Sequence, residues 1–261
     1  MKVALLIEYD GTKFAGWQSQ RAERTVQSEL EAGFQKIFAE RIIVHGAGRT
    51  DTGVHARGMV AHVDLLDGTD LFRLLPGINA TTGNDVVVLA LREVAPDFHA
   101  RHSAESREYA YTILRRRTAL ERNTAWAVHY PLAIEAMDAV ARLLIGEHDF
   151  TAFSKRSPHV EHYRCIVEHA QWVARGTRFV FRIRANRFVR GMVRALVGAM
   201  VEIGRGNSTV EAFEHALHHP EELSRAKYLA PARGLVLGCV RYPERFGLWN
   251  EDIAPTLTNV I

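Results

Sequence analysis

Apolar residues along this chain recur at two spacings, and the spacing switches several times between the first residue and the last. Residues 3–9 form a near-continuous apolar run of strand length, the pattern of a buried strand. Val26, Leu30, Phe34, Ile37 and Phe38 then return every three or four positions and predict a helix over about residues 25–39. Strands are expected at about 41–46 and 58–66, and a short helix at residues 70–75, closed by Pro76-Gly77. Residues 86–94 read as another strand. The order is β-α-β-β-α-β, a split βαβ unit.

A second pass begins near residue 105. Tyr109, Tyr111 and Ile113 alternate on one face of a strand. Ile134, Met137, Ala141 and Leu144 mark a helix ending at Gly146. Strands follow at about 162–174 and 178–186, and a long helix carries Phe188, Met192, Leu196, Met200 and Ile203. A last strand covers 235–241. Residues 151–163 are polar with one proline and are expected to be a mobile loop. The repeated order predicts an α+β fold of two related ferredoxin-like halves with antiparallel-rich sheets joined around a central cleft. The halves are taken as 1–98 and 99–261.

Composition adds bounds. A chain of 261 residues with 47% hydrophobic content has enough material for one large or two small cores. The formal net charge of +3 and pI near 9.0 permit a polyanionic partner without demanding one. Cys165 and Cys239 lie far apart in apolar surroundings and form no Cys-x-x-Cys pair, which disfavours a zinc ribbon or redox dithiol. The first apolar run is too short for a signal peptide, and no run approaches the ~18 residues of a membrane span. A soluble, cytoplasmic protein without a membrane partner is expected.

The densest chemistry lies in residues 46–58, Gly-Ala-Gly-Arg-Thr-Asp-Thr-Gly-Val-His-Ala-Arg-Gly. Glycines crowd around one carboxylate, Asp51, with Arg49 and Arg57 to either side, and Asp51 falls at the tip of a loop between two strands. Gly48 and Gly53 would let the backbone turn sharply or approach a ligand closely. Flanking cations favour the ionised carboxylate and suit an anionic substrate. The alternative is an aspartate that only stabilises its own turn. A nucleotide-phosphate loop is excluded, because no Lys-Ser/Thr follows the glycines and no helix begins there.

Other charged groups carry weaker signals. Arg187, Arg190 and Arg194 would share one stripe of the long helix, as phosphate contacts or as a solvated face. Arg115-Arg116-Arg117 and Lys155-Arg156 are further candidates for phosphate contact. His215, His218 and His219 share a helical region, but no glutamate or cysteine completes a ligand set, so no metal is expected.

Residues 9–20, Tyr-Asp-Gly-Thr-Lys-Phe-Ala-Gly-Trp-Gln-Ser-Gln, taken with Gly-Arg-Thr-Asp-Thr-Gly-Val-His-Ala at 48–56, resemble the tRNA pseudouridine synthase A (TruA) family. Phe98-His99-Ala100-Arg101, Ser106-Arg107-Glu108-Tyr109-Ala110-Tyr111, Gly146-Glu147-His148-Asp149-Phe150, Met192-Val193-Arg194 and Ala230-Pro231-Ala232-Arg233-Gly234-Leu235 follow in order, so the resemblance spans nearly the whole chain. It implies that Asp51 is the catalytic aspartate of uridine-to-pseudouridine isomerisation. The carboxylate would attack the sugar, attack the base, or act as a base at the sugar, and the residues do not choose among these. Arg194 would be its ion-pair partner, and Tyr109 the active-site tyrosine, its ring stacking on the uracil or its hydroxyl reaching a site proton, the alternative being a core tyrosine on its strand. Tyr111, on the same strand face, fits a core role better. Arg49 would help extrude the target base, and His55 would shape the loop. The resemblance further implies tRNA as partner, uridines 38, 39 and 40 of the anticodon stem-loop as targets, a homodimer, and no metal or organic cofactor. Two other readings are a non-catalytic RNA-binding module, for which aromatic strand motifs are missing, and an acid/base hydrolase using Asp51 with His55.

Overall fold

The computed structural model describes residues 1–155, 160–221 and 228–249. The chain forms two compact units: Met1–Glu105 with the described residues from Val236 onward, and Ser106–Leu235. The limits read from the sequence put residues 99–105 and the last strand in the second half. They fall with the first because that strand (Leu235–Arg241) pairs in parallel there, and Glu105 N–H donates to Arg241 O at 2.9 Å.

In the first unit, β1 (Lys2–Tyr9) runs antiparallel to both β3 (His55–Asp64) and β4 (Val86–Val94), giving the order β4-β1-β3. The short β2 (His45–Gly46) pairs with β3 at His62 and Ala61, and the last strand joins β3 at its other end, at His55 and Ala56. Val3, Ala4, Leu5 and Ile7 of β1 are all fully buried, as their uninterrupted apolar run requires. Helix α1 (Val26–Phe38) starts where Thr25 and Ser28 satisfy each other's backbone N–H groups, a reciprocal cap.

Helix α2 (Leu71–Thr81) runs through Pro76, correcting the expected stop. Asp70 caps it through Phe72 N–H and Arg73 N–H. Leu74 and Ile78 are buried, and the Asn79 amide brackets the backbone of Val88 with two 2.8 Å hydrogen bonds. These contacts lie on both sides of the proline and outweigh the one backbone bond it cannot donate.

In the second unit β5 (Ser106–Leu114), β9 (Arg178–Ala185), β8 (Arg164–Arg175) and β7 (Gly146–Asp149) are neighbours in that order and all antiparallel, with β6 (Trp126–Ala127) parallel to β5. The sequence patterns missed β6 and β7, which are too short to show a period. A two-residue turn, Gly176-Thr177, joins β8 to β9. Helix α3 (Ile134–Leu143) and helix α4 (Met192–Gly204) pack together. Trp172 of β8 donates its indole N–H to Met200 of α4 at 3.2 Å and lies 5.2 Å from Phe181, which fixes the strand face that α4 covers. Helix α5 (Val210–His218) follows. The expected helix start at Phe188 is corrected to Met192, because Gly191 adopts a left-handed φ of +75° that a helix cannot continue through. Among the described residues no helix is long and apolar enough to cross a membrane.

Candidate active site

Asp51 lies in the loop between β2 and β3, and a separate stretch of chain, residues 9–17, braces that loop. Trp17 N–H donates to Thr50 O at 3.1 Å, and Gly53 N–H donates to Phe14 O at 3.3 Å. The hydroxyls of buried Tyr9 and Thr50 share a hydrogen bond of 2.8 Å. Val54 N–H closes the turn onto Asp51 O at 3.1 Å. Gly16 makes the brace possible. Its φ is +98°, and a Cβ there would sit 2.6 Å from Thr50 O, so only glycine brings the two segments together without strain. The residues flanking Asp51 are thus tied down, while Asp51 is half-buried and Arg49 exposed.

Two expectations for this loop need correction. Gly53 has the left-handed backbone, φ +77°. Gly48 does not, and a Cβ there would meet nothing within 4 Å, so the fold itself does not require glycine at that position. Arg57 belongs to β3 and is exposed, leaving Arg49 as the arginine of the loop proper.

His55 is buried at the start of β3. Its Nδ1 accepts from Gly11 N–H at 3.1 Å and lies 3.0 Å from Asp10 Oδ1. Partial burial works against a charged Asp10, but the Thr12 hydroxyl and N–H outweigh it and, with His55, hold the carboxyl below its usual range. The Nδ1 of His55 therefore serves the turn at residues 10–12, a bracing role.

The composition hid a second histidine group. His62 lies 4.8 Å from His45 and 4.7 Å from His99, ring centre to ring centre, and His99 lies 4.4 Å from His102. Burial first, then Lys2 and the neighbouring rings, push His62 down to about 4. Its neutral Nδ1 accepts from Ala100 N–H at 3.2 Å. Neither this group nor His215, His218 and His219 forms a trio able to hold a metal; among the described residues there is none.

The second unit carries Tyr109 and Arg194. Tyr109 is half-buried on β5, edge-on to Phe188 at 5.0 Å. Arg194 is in the first turn of α4 and half-buried. Its Nε–H donates to Ala230 O at 2.8 Å, and Ala230 N–H donates back to Arg194 O at 3.0 Å. Because the guanidinium is planar, anchoring Nε sets the plane in which its two amino groups point. Arg187 and Arg190 precede α4 and share no helical stripe with Arg194. Arg187 contacts His162, and Arg190 O accepts from Lys155 N–H. Arg115, Arg116 and Arg117 are exposed, with Arg116 paired to Glu121. Arg156 and residues 157–159 lie outside the described residues, while the start of the expected mobile loop is a single 3-10 turn, Thr151–Phe153, with Ala152 and Phe153 buried. Cys165 is buried and Cys239 half-buried, and neither is in a disulfide.

A family model described as tRNA pseudouridine synthase matches residues 5–77 and 140–243. The chain is 42% identical over 244 residues to a tRNA pseudouridine synthase A of Chlorobaculum tepidum, covering 92% of this chain and 97% of that protein. It is 41% identical over 262 residues to that of Methylococcus capsulatus, covering 97% and 94%. It is 39% identical over 243 residues to that of Bacteroides thetaiotaomicron, covering 92% and 90%.

Proposed function

The chain belongs to the tRNA pseudouridine synthase family, and on that footing we propose that it isomerises uridines 38, 39 and 40 in the anticodon stem-loop of tRNA, with Asp51 as the catalytic carboxylate. The reaction breaks the C1′–N1 bond, turns the uracil, forms a C1′–C5 bond, and moves a proton from C5 to solvent while N1 gains one. It is redox-neutral and consumes no water, so it needs neither a redox cofactor nor a metal. Asp51 either attacks a substrate carbon or takes a proton from the sugar; both roles need an ionised carboxylate at a fixed place. Arg194 supplies the cation that keeps it ionised, Tyr109 offers an aromatic face to the uracil, and Arg49 fills the space left when the base leaves its stack.

In this reading the two halves are ferredoxin-like, the first carrying the Asp51 loop and the second completing a cleft with Tyr109 and Arg194. The enzyme works in the cytoplasm as a homodimer, because a tRNA is large beside one chain of 261 residues. The observation that carries the assignment of Asp51 is the brace on either side of it, through Thr50 and Gly53. It gives a half-buried carboxylate a fixed position without burying it. The test is to incubate the purified protein with an unmodified tRNA transcript after dialysis against EDTA, then map pseudouridine by position. Product at 38–40 supports the proposal; no product, or product confined to another part of the tRNA, refutes it.

A further inference from the structure

We infer that Tyr111, two residues beyond Tyr109 on the same face of β5, is a positioning residue for Arg194. It acts by holding the segment 228–234 that anchors the guanidinium. The chain of contacts is short. Tyr111 is fully buried, and its hydroxyl donates to Pro231 O at 2.8 Å. Ala230, one residue earlier, presents the carbonyl that accepts from Arg194 Nε–H at 2.8 Å. The same segment is seated closely at both ends. A Cβ on Gly198 of α4 would lie 2.2 Å from Tyr228 O, and a Cβ on Gly234 would lie 2.6 Å from the Tyr111 ring. Two adjacent carbonyls, on residues 230 and 231, therefore tie one strap to a helix arginine and to a strand phenol.

The alternative is that Tyr111 is only a core side chain. Phenylalanine would fill that space as well, so packing alone gives no reason for the hydroxyl. Burial pushes the phenol well above its usual range, against a smaller opposing pull from Arg194 and Arg233. The hydroxyl thus keeps its proton and donates at any working pH. Removing it leaves Pro231 O without that donor and lets the strap, and Ala230 O with it, shift relative to α4.

The proposal rests on Arg194 being a site residue, and two measurements separate its failure from failure of that reading. The first is the single-turnover rate at saturating tRNA for Tyr111→Phe, Arg194→Ala and the double variant. Tyr111→Phe is expected to lower the rate roughly 5- to 10-fold, the scale of one hydrogen bond, with tRNA affinity within twofold of wild type. In the Arg194→Ala background it should lower the rate no further. An unchanged rate, or the same fold-loss in both backgrounds, overturns the proposal. The second needs no activity: solvent exchange of the Arg194 Nε–H, read by NMR and assigned through Arg194→Lys. Exchange should quicken in Tyr111→Phe, and equal protection in both proteins overturns the proposal even if no pseudouridine is made.

Discussion

In the first unit the charged group of interest is held through its neighbours; in the second it is held through its own side chain. Asp51 has a short side chain with two torsions, so fixing the backbone of Thr50 and Gly53 leaves its carboxylate little room to wander. Arg194 sits on a regular helix, which fixes its Cα but leaves a long, flexible side chain with about 2 kcal/mol of rotamer entropy. There the anchor must act near the head group, and Ala230 O does so at Nε. The lesson is that the length of a functional side chain decides where its support must be applied.

The largest effect expected is from Asp51→Asn, which keeps shape and loses charge. Turnover should fall by at least the roughly 10²–10⁴-fold that positioned acid–base groups supply, with tRNA affinity nearly unchanged. Pseudouridine formation at the wild-type rate by a clean Asn variant, free of deamidation, would falsify the assignment.

Gly16→Ala tests the backbone brace. A left-handed φ and a Cβ 2.6 Å from Thr50 O force the segments apart, at a cost of about 1–3 kcal/mol in stability. A displacement of the Asp51 loop by about 1 Å should lower turnover on the order of 10²-fold. Urea unfolding and single-turnover rates read the two quantities; lost stability with full activity would show that this brace does not position Asp51.

Gly198→Ala is the counterpart in the second unit. Alanine favours the helix by up to about 1 kcal/mol while pushing Tyr228 O and the strap away from α4. Because the atom met at 2.2 Å is backbone, the clash outweighs that gain: stability should fall by about 1–3 kcal/mol and turnover only about tenfold, because the disturbance reaches Arg194 through its side-chain anchor. If its rate loss matches that of Gly16→Ala, the contrast between the two modes of support is broken.

The smallest effect on the reaction is expected from His62→Asn, which lies in the first unit but outside the loop and keeps an acceptor for Ala100 N–H. At pH 7.5 its turnover should stay within twofold of wild type. Its signature is in stability. Folded His62 titrates near 4 and an ordinary histidine near 6.5, so between those values the unfolded chain binds a proton that the folded chain refuses. The wild type should therefore lose stability as pH falls from about 6.5 to 4, by about 1–3 kcal/mol, and the variant should lose less. Parallel urea midpoints for both proteins across that range would rule out His62 as the source.

Much of this arrangement is legible in the residues. Long periodic stretches such as Val26–Phe38 and Leu235–Arg241 were read with limits close to those observed, because burial of one face writes its period into the sequence. The Asp51 loop stood out by its glycines and charges. What the sequence hid depends on contacts between distant positions. Nothing local to Pro76 shows that Asn79 and Ile78 carry α2 past it, and nothing local to Arg187 shows that Gly191 delays α4. Tyr9 and Trp17 stand out in the sequence only as members of the motif at 9–20, and nothing there shows that both bond to Thr50. Tyr111 was rightly placed in the core, but only the position of Pro231 O gives its hydroxyl a purpose.

The parallel pairing of the last strand with β3, at His55 and Ala56, has a consequence for how the protein is made. The strand that opens four residues after Asp51 leaves the ribosome long before its neighbour, which starts at Leu235. Between Glu105 and Val236 the growing chain must add about 130 residues, roughly 7–26 s at ordinary elongation rates. During that time the beginning of β3 offers an unsatisfied edge to any passing strand. The second unit, continuous in sequence, can be complete before the first. The Asp51 loop acquires its finished setting only once Val236 and Leu237 have been added, so a chain cut short before Val236 would carry the Asp51 motif without the strand beside it.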